Sequence, residues 1–397
     1  MVEKSFAGRA RTRKGNLPEA GFMRTAFLTL LIVHAAIHLM WFAHSLGWVN
    51  LSYFQKDIPG MVGFSWLLAA GFFLWSALQL GRRRPKWFLP ALIAVLLSQM
   101  WIFSAWEDTK YGSFANLFVM VGILVGYAKW AFEERFRSEA ESLLEYAGRD
   151  QRILTEKDLQ SLPRQVAEYI RRSGAVGKPM VENFRLVFEG EMRQKDKPWF
   201  SFTSEQYTFI PNASRLFFMK GRIKGFSVWG YHTYRPPNAK MVIRALSLFP
   251  QLKIESPEMY PTETVTFFND LCLFAPGALV DDRIRFTELD DTRVEAAFEL
   301  KDQKVTAILY FDATGDLVNF SSEDRYDVSK MERFPFSTPV KDYREFNGIR
   351  LPSYGEAVWH YPDGAFVYGK FRLKEIRYNL KELAARIPNR DGLIGAS

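Results

Sequence analysis

The sequence predicts a four-helix transmembrane α bundle followed by an α+β domain, whose centre is a large curved antiparallel sheet, or half-barrel, with two or three helices. Three observations carry this expectation. Apolar residues crowd into the first third of the 397-residue chain, although 48 % of all residues are hydrophobic and the mean hydropathy is only −0.13. Beyond about residue 181 apolar side chains recur with period two, as half-buried strands require. Turn sequences separate these runs at short intervals with few helices between them, which favours an antiparallel meander over a parallel sheet.

The elements follow in order. Residues 1–21 form a basic arm, with Lys4, Arg9, Arg11, Arg13 and Lys14. Residues 22–132 hold four apolar stretches, Phe22 to Ala43, Met61 to Leu80, Trp87 to Ala105 and Ser113 to Trp130. Each approaches the ~20 residues that a helix needs to cross a ~30 Å hydrocarbon core. The first is too long for the core of a signal peptide and lacks an A-x-A-like cleavage site, so it reads as an uncleaved anchor. Basic residues occupy the arm, Arg24 and the second link (Arg82, Arg83, Arg84, Lys86), whereas the other two links carry only Lys56 and Lys110. The positive-inside rule then places both termini of a multi-pass membrane protein in the cytoplasm. Trp48, Trp87, Trp106, Tyr111 and Trp130 fall where interfacial aromatics belong. Positives that flank membrane spans are a topology signal, so nucleic acid is not an expected partner.

His34 and His38 share one face of the first span, and ionisable groups within a membrane are costly enough to be functional candidates. Two readings stay open: hydrogen bonding between helices, or a metal or proton-relay site completed by Glu107 and Asp108. Gly122 and Gly126 form a GxxxG in the fourth span, which permits close helix approach.

Residues 133–180 read as a charged, solvated helical linker and then the first helix of the polar domain, with Ser161 and Pro163 at its start and Gly174 or Gly177 at its end. Residues 181–380 form the sheet. Phe184, Leu186 and Phe188 alternate, as do Phe200 with Phe202, Trp229 with Tyr231, and Val294, Ala296 and Phe298. Asn347-Gly348 predicts a two-residue hairpin that sets Glu345 opposite Arg350. Pro362-Asp363-Gly364, Asp312 to Gly315 and Leu289 to Thr292 are further turns. One helix, about Thr262 to Leu273, interrupts the strands, and residues 381–397 form a tail. Helices against a curved sheet produce an apolar concavity suited to a hydrophobic ligand.

Chemistry is sparse. One cysteine, Cys272, excludes a disulfide scaffold and Cys-cluster metal sites. No GxSxG, GxxxxGK[ST], GxGxxG or HExxH pattern occurs. Asp281-Asp282, Asp290-Asp291 and Glu323-Asp324 sit beside turns, where aspartate is favoured for backbone reasons. No cofactor is assigned, and the leading expectation is a non-enzymatic protein. The candidate ligand-binding residues are Trp199, Trp229, Tyr231, His232, Tyr343, Glu356 and Trp359, the aromatics as lining for an apolar cavity.

The segments Thr338-Pro-Val-Lys-Asp-Tyr-Arg, Asn347-Gly-Ile-Arg-Leu-Pro-Ser-Tyr-Gly-Glu-Ala-Val-Trp-His-Tyr-Pro, Phe366-Val-Tyr-Gly-Lys-Phe and Phe268-Asn-Asp-Leu-Cys-Leu-Phe-Ala-Pro resemble an uncharacterised bacterial family, a domain of unknown function. The region from His38-Leu-Met to Trp106-Glu-Asp-Thr-Lys-Tyr-Gly-Ser-Phe-Ala-Asn is similar to longer members with four helices ahead of that domain. The resemblance implies no catalytic residue. It does imply a polar domain similar to the lipoprotein-carrier half-barrels, hence a lipid or apolar small molecule as ligand and the bilayer as partner. Such carriers work outside the inner membrane, whereas the charge bias here puts the domain inside. Two other classes stay open: a membrane metal or redox enzyme at His34 and His38, and a scaffold whose helices contact another membrane protein.

Overall fold

A computed structural model describes residues 19–50, 60–145 and 152–387, which form two compact units, one up to Ile123 and one from Leu124 to Ile387. The expectations for Lys4 to Lys14, for Lys56 and for the tail beyond residue 387 lie outside the described residues.

The first unit contains helices α1 (Glu19–Ser45), α2 (Gly60–Gly81), α3 (Phe88–Ser104), the single turn α4 (Trp106–Thr109) and the start of α5 (Gly112–Leu144). Three helical stretches, Gly21–Ser45, Val62–Gly81 and Gly112–Leu144, are long and apolar enough to cross a bilayer, and α3 is apolar but has 17 residues. Their exposed residues are largely Leu, Ile, Val and Phe, and their buried ones include Ala35, Ala69, Ala70, Ala91 and Ala94. Small residues between helices and large apolar ones outside suit helices that associate in lipid, where close backbone approach replaces the hydrophobic effect. Gly122 serves this purpose, since a Cβ there would come 2.3 Å from the Phe27 ring. Arg24 donates to the terminal carbonyls of α2, at 3.1 Å for Leu80 and 2.6 Å for Gly81. Orphan carbonyls at a helix end need such a donor.

The second unit holds α6 (Arg164–Ser173), α7 (Met259–Phe274) and the strands β1 (Asn183–Met192), β2 (Phe200–Phe209), β3 (Ser214–Ile223), β4 (Phe226–Arg235), β5 (Asn238–Ala245), β6 (Phe249–Ile254), β7 (Ile284–Glu288), β8 (Arg293–Glu299), β9 (Lys304–Phe311), β10 (Leu317–Ser322), β11 (Tyr326–Asp327), β12 (Glu332–Arg333), β13 (Phe336–Phe346), β14 (Ile349–Tyr361) and β15 (Gly364–Tyr378). Among the described residues thirteen strands form one open antiparallel sheet in the order β6-β5-β4-β3-β2-β1-β15-β14-β13-β10-β9-β8-β7, with β11 and β12 as a separate two-stranded strap. The turns behave as their sequences require. Asn347 and Gly348 both have positive φ, 52° and 75°, and Glu345 faces Arg350. The Arg350 guanidinium, however, binds Asp316. Asp312 and Asp290 accept backbone N–H groups two residues on.

The sheet is curved because α7 touches strands from both of its halves, β4 and β5 as well as β9, β10 and β14. Thirteen of its 16 residues are buried, and Phe267, Phe268, Leu271 and Cys272 are fully enclosed with Phe184, Leu186, Phe298, Leu309 and Phe320. The concavity that the sequence led us to expect is thus filled along much of its length by this helix. Burial raises the Cys272 thiol well above its ordinary range, so it is an inert packing residue. α6 ends at Gly174 in the left-handed conformation, but Pro163 rather than Ser161 occupies its N-cap.

The opposite face of the sheet is covered where the charged part of α5 docks. This corrects the expectation of a solvated helix after residue 133. Phe132, Phe136, Ala140 and Leu144 recur at helical spacing and pack on Tyr207, Phe209, Leu216, Phe218, Trp229 and Tyr231. Strand alternation explains the two coats: Leu216 and Phe218 face α5, while Phe217 and Met219 face α7.

Candidate functional site

Two constellations lie on the α7 face of the sheet, joined by one arginine. The first is an ionic cluster between α7 and strands β2 to β4. Glu263 and Asp270, seven residues apart, project from the same side of α7. Arg215 of β3 reaches both, Nη1 to Glu263 Oε2 at 3.2 Å and Nε to Asp270 Oδ2 at 2.7 Å. Gln206 donates to Asp270 at 2.8 Å and accepts from Arg215 at 2.9 Å, and His232 Nδ1 lies 3.2 Å from Glu263 Oε1. All except His232 are buried. Burial pushes the Glu263 carboxyl up, yet the His232 hydrogen bond and the charges of Arg215, His232 and Arg325 outweigh it and hold Glu263 at about 2. At Asp270 burial prevails over Arg215 and Gln206, and its pKa is raised. One arginine thus holds two carboxyls whose affinities for a proton are driven apart.

The second constellation is aromatic and lies where β13 begins and β14 ends. Phe336 and Trp359 form a cross-strand pair with ring centroids 5.3 Å apart, and Trp359 stacks on Tyr368 at 6.1 Å. Phe334 meets Tyr361 at 4.9 Å. Phe336 and Trp359 are buried, whereas Phe334, Tyr361 and Tyr368 keep part of their surface exposed. Arg325 lies 4.0 Å from the Phe336 centroid and 5.2 Å from that of Trp359, and Lys330 lies 3.7 Å from that of Tyr361. Cations over aromatic faces are attracted by the ring quadrupole. The Arg325 Nε is buried without a hydrogen-bond partner, and its charge also acts on Glu263.

The sequence-derived candidates scatter over these and other places. Trp359 belongs to the aromatic constellation and His232 to the ionic one. Trp229 and Tyr231 face α5 on the other side of the sheet, and Tyr231 donates to Glu139 at 2.9 Å. Trp199 is half-buried between Arg193 and Lys370, each within 5 Å of its ring. Tyr343 donates to the Leu317 carbonyl, and Glu356 accepts from Tyr354. Trp199 adjoins the Trp359 group, since Arg193 also lies 5.0 Å from Phe366, which stacks on Tyr361, whereas the other four do not converge with Trp359. Sequence reasoning missed Glu263, Asp270 and Arg215, although two acids seven apart on a phenylalanine-rich helix were a readable signal. A cleft of about 510 Å³ near Arg152, Met180, Ile210 and Asp281 contains none of the candidates.

In the first unit, His34 hydrogen-bonds between helices and His38 within α1, and the other ring nitrogen of each, His34 Nδ1 and His38 Nε2, is buried without a hydrogen-bond partner. Asn116 of α5 uses its amide hydrogens on Ser98 Oγ (3.0 Å) and Gln99 Oε1 (3.1 Å), so its oxygen must accept from His34 Nε2 at 2.9 Å. His38 Nδ1 donates to the His34 carbonyl at 2.9 Å. Glu107 pairs with Lys110 at the surface, and among the described residues no three His, Cys, Asp or Glu side chains gather closely enough to hold a metal. Glu107 and Asp108 therefore do not complete a site with the histidines.

Residues 152–371 match a family of unknown function, DUF6544. No curated protein matches. Among solved structures, a LolA superfamily protein, NE2245 from Nitrosomonas europaea, is similar at 9 % identity and a TM-score of 0.30, over 54 % of this chain and 91 % of the other. A beta-barrel-like protein of the domain of unknown function DUF1849 from Brucella abortus is similar at 8 % identity and a TM-score of 0.18, over 50 % and 98 % of the two chains.

Proposed function

We propose, for a chain that belongs to the DUF6544 family, a non-enzymatic role in which the half-barrel binds a lipid or another apolar molecule close to the bacterial inner membrane. The observation that carries this reading is the aromatic constellation of Phe334, Phe336, Trp359, Tyr361 and Tyr368. It is apolar, part of its ring surface is exposed, and Arg325 and Lys330 stand over it. A partly exposed aromatic surface suits a hydrophobic body, and the cations would take an anionic end. Photoreactive acyl phospholipid added to the full chain in vesicles tests it. Labelled peptides should include residues 334–336 and 359–368, and Trp359→Ala with Tyr361→Ala should reduce that labelling. Label confined to α1, α2, α3 and the first half of α5 would reject the reading.

The chain is read as crossing the membrane four times, with α3 as the third and shortest span. Its 17 residues cover about 25 Å, a shortfall that local bilayer thinning accommodates. Arg82, Arg83, Arg84 and Lys86 support a cytoplasmic second link and hence cytoplasmic termini. A reporter fused at Ser397 should be active only if it is a cytoplasmic reporter; activity of a periplasmic reporter there would reverse the orientation.

A further inference from the structure

The hairpins β3–β4 and β5–β6 end in an exposed apolar tip that ligand binding on the α7 face does not use. Ile223, Phe226, Phe249 and Leu252 are exposed by 40, 54, 59 and 40 %. The first tip turns through Lys224 and Gly225, both at positive φ, and the second turns through Leu246 and Ser247, also at positive φ. Pairing of β4 with β5, Val228 opposite Ala245, brings both tips to one end of the sheet.

Two further observations say what covers them. The first is position along α5. Lys129 lies over Trp229 (5.8 Å) and Phe132 beside Arg244 (4.9 Å), whereas Glu139 reaches Tyr231 and Arg235. Helix and strand β4 therefore run in the same direction. The three strand residues from Trp229 back to Phe226 span about 10 Å. About seven helical residues span the same distance, and counting back from Lys129 and Phe132 sets the tip level with the stretch around Leu124 and Val125. That stretch is the apolar end of a membrane-spanning helix, and Leu124 is itself exposed. The second observation is charge. Residues 206–254 contain no Asp or Glu and eight Lys or Arg; Lys220 is paired with Glu133 of α5 at 3.0 Å, and Arg222, Lys224 and Arg244 also lie near the tips, Lys224 in the first turn itself. Apolar side chains flanked by cations are complementary to anionic lipid headgroups over a hydrocarbon layer.

We propose that these two hairpin tips insert Ile223, Phe226, Phe249 and Leu252 into the interface of the anionic leaflet from which α5 emerges, with Lys224 and its basic neighbours among the headgroups. This end of the sheet is then a second lipid contact besides the spanning helices, and it stands whether or not the aromatic constellation takes a ligand.

Site-directed nitroxides test this in the full chain, with Cys272→Ala as background, in vesicles of phosphatidylethanolamine and phosphatidylglycerol. Labels at Phe226→Cys and Phe249→Cys should be relaxed more by lipid-soluble oxygen than by a water-soluble nickel chelate. A label at Asn238→Cys, in the turn at the opposite end of β4, should show the reverse. Retained melting behaviour checks that each labelled chain is folded. The proposal is overturned if labels at 226 and 249 behave like that at 238. It is equally overturned if they are shielded from both relaxants while coupling magnetically to a second copy, which would make the tips a self-association surface.

Discussion

At the scale of single residues the second unit is organised by Arg215, because it is the buried cation that lets α7 carry Glu263 and Asp270 into a phenylalanine core. A buried ion pair offsets a large desolvation cost only when its remaining hydrogen bonds are made, and Gln206 and His232 make them here. The two acids respond oppositely to acid. Glu263 is held at about 2 against an ordinary 4.5, so the stability it contributes is complete above about pH 4.5 and disappears as pH falls toward 2. Asp270 has a raised pKa, so its ionised form costs stability at neutral pH, and that cost is relieved on acidification. Melting temperatures of the wild type and Glu263→Gln should accordingly differ most at neutral pH and converge between pH 4.5 and 2. Curves that stay parallel across that window would mean that Glu263 is not held ionised by its partners.

At the scale of elements, local chemistry decided most boundaries and tertiary packing decided the rest. The β13–β14 hairpin is the clearest local case, since Asn347 and Gly348 both require positive φ. A Cβ at Gly348 meets that backbone cost, about 1–2 kcal/mol, and stands 2.6 Å from the flexible Lys178 Nζ. Gly348→Ala should therefore destabilise the full chain by about that amount in a denaturant titration. An unchanged unfolding midpoint for Gly348→Ala would show that the turn conformation does not limit stability. The same logic made the alternation of Val294, Ala296 and Phe298 and the helix around Phe267 legible. It failed for the charged end of α5, where Glu133, Glu134, Arg135 and Arg137 mask the stripe of Phe132, Phe136, Ala140 and Leu144. It also failed for Trp229 and Tyr231, because period two identifies a face without saying which helix covers it. Trp359 and His232 were found for their residue type, but their partners Phe336 and Glu263 lie 23 and 31 residues away in sequence, a separation that only the sheet closes.

At the scale of the molecule the sheet consists of two meanders that share one seam. β1 to β6 fold in sequence on one side, and β7 to β10 with β13 and β14 on the other; within the sheet they meet through β15, which lies between β1 and β14. Its 15 residues pair along both edges, Phe184 opposite Tyr378 at one end of β1 and Trp359 opposite Phe366 near the end of β14. The strand that joins the halves is thus the last one made, and its partner β1 is about 180 residues earlier, an entropic distance that slows non-local pairing. Without β15 each half presents a long unpaired strand, and such edges invite pairing with another chain. α7 would also lose the enclosure provided by Phe371, Leu373 and Ile376 on that strand. A chain ending at Tyr361 should therefore lose the single cooperative melt of the sheet and aggregate on heating, whereas one ending at Ile387, which keeps β15, should melt like the full chain. A truncation at Tyr361 that retained the wild-type transition would show that α7 alone holds the two meanders together, and that the seam is a late addition to an already closed core.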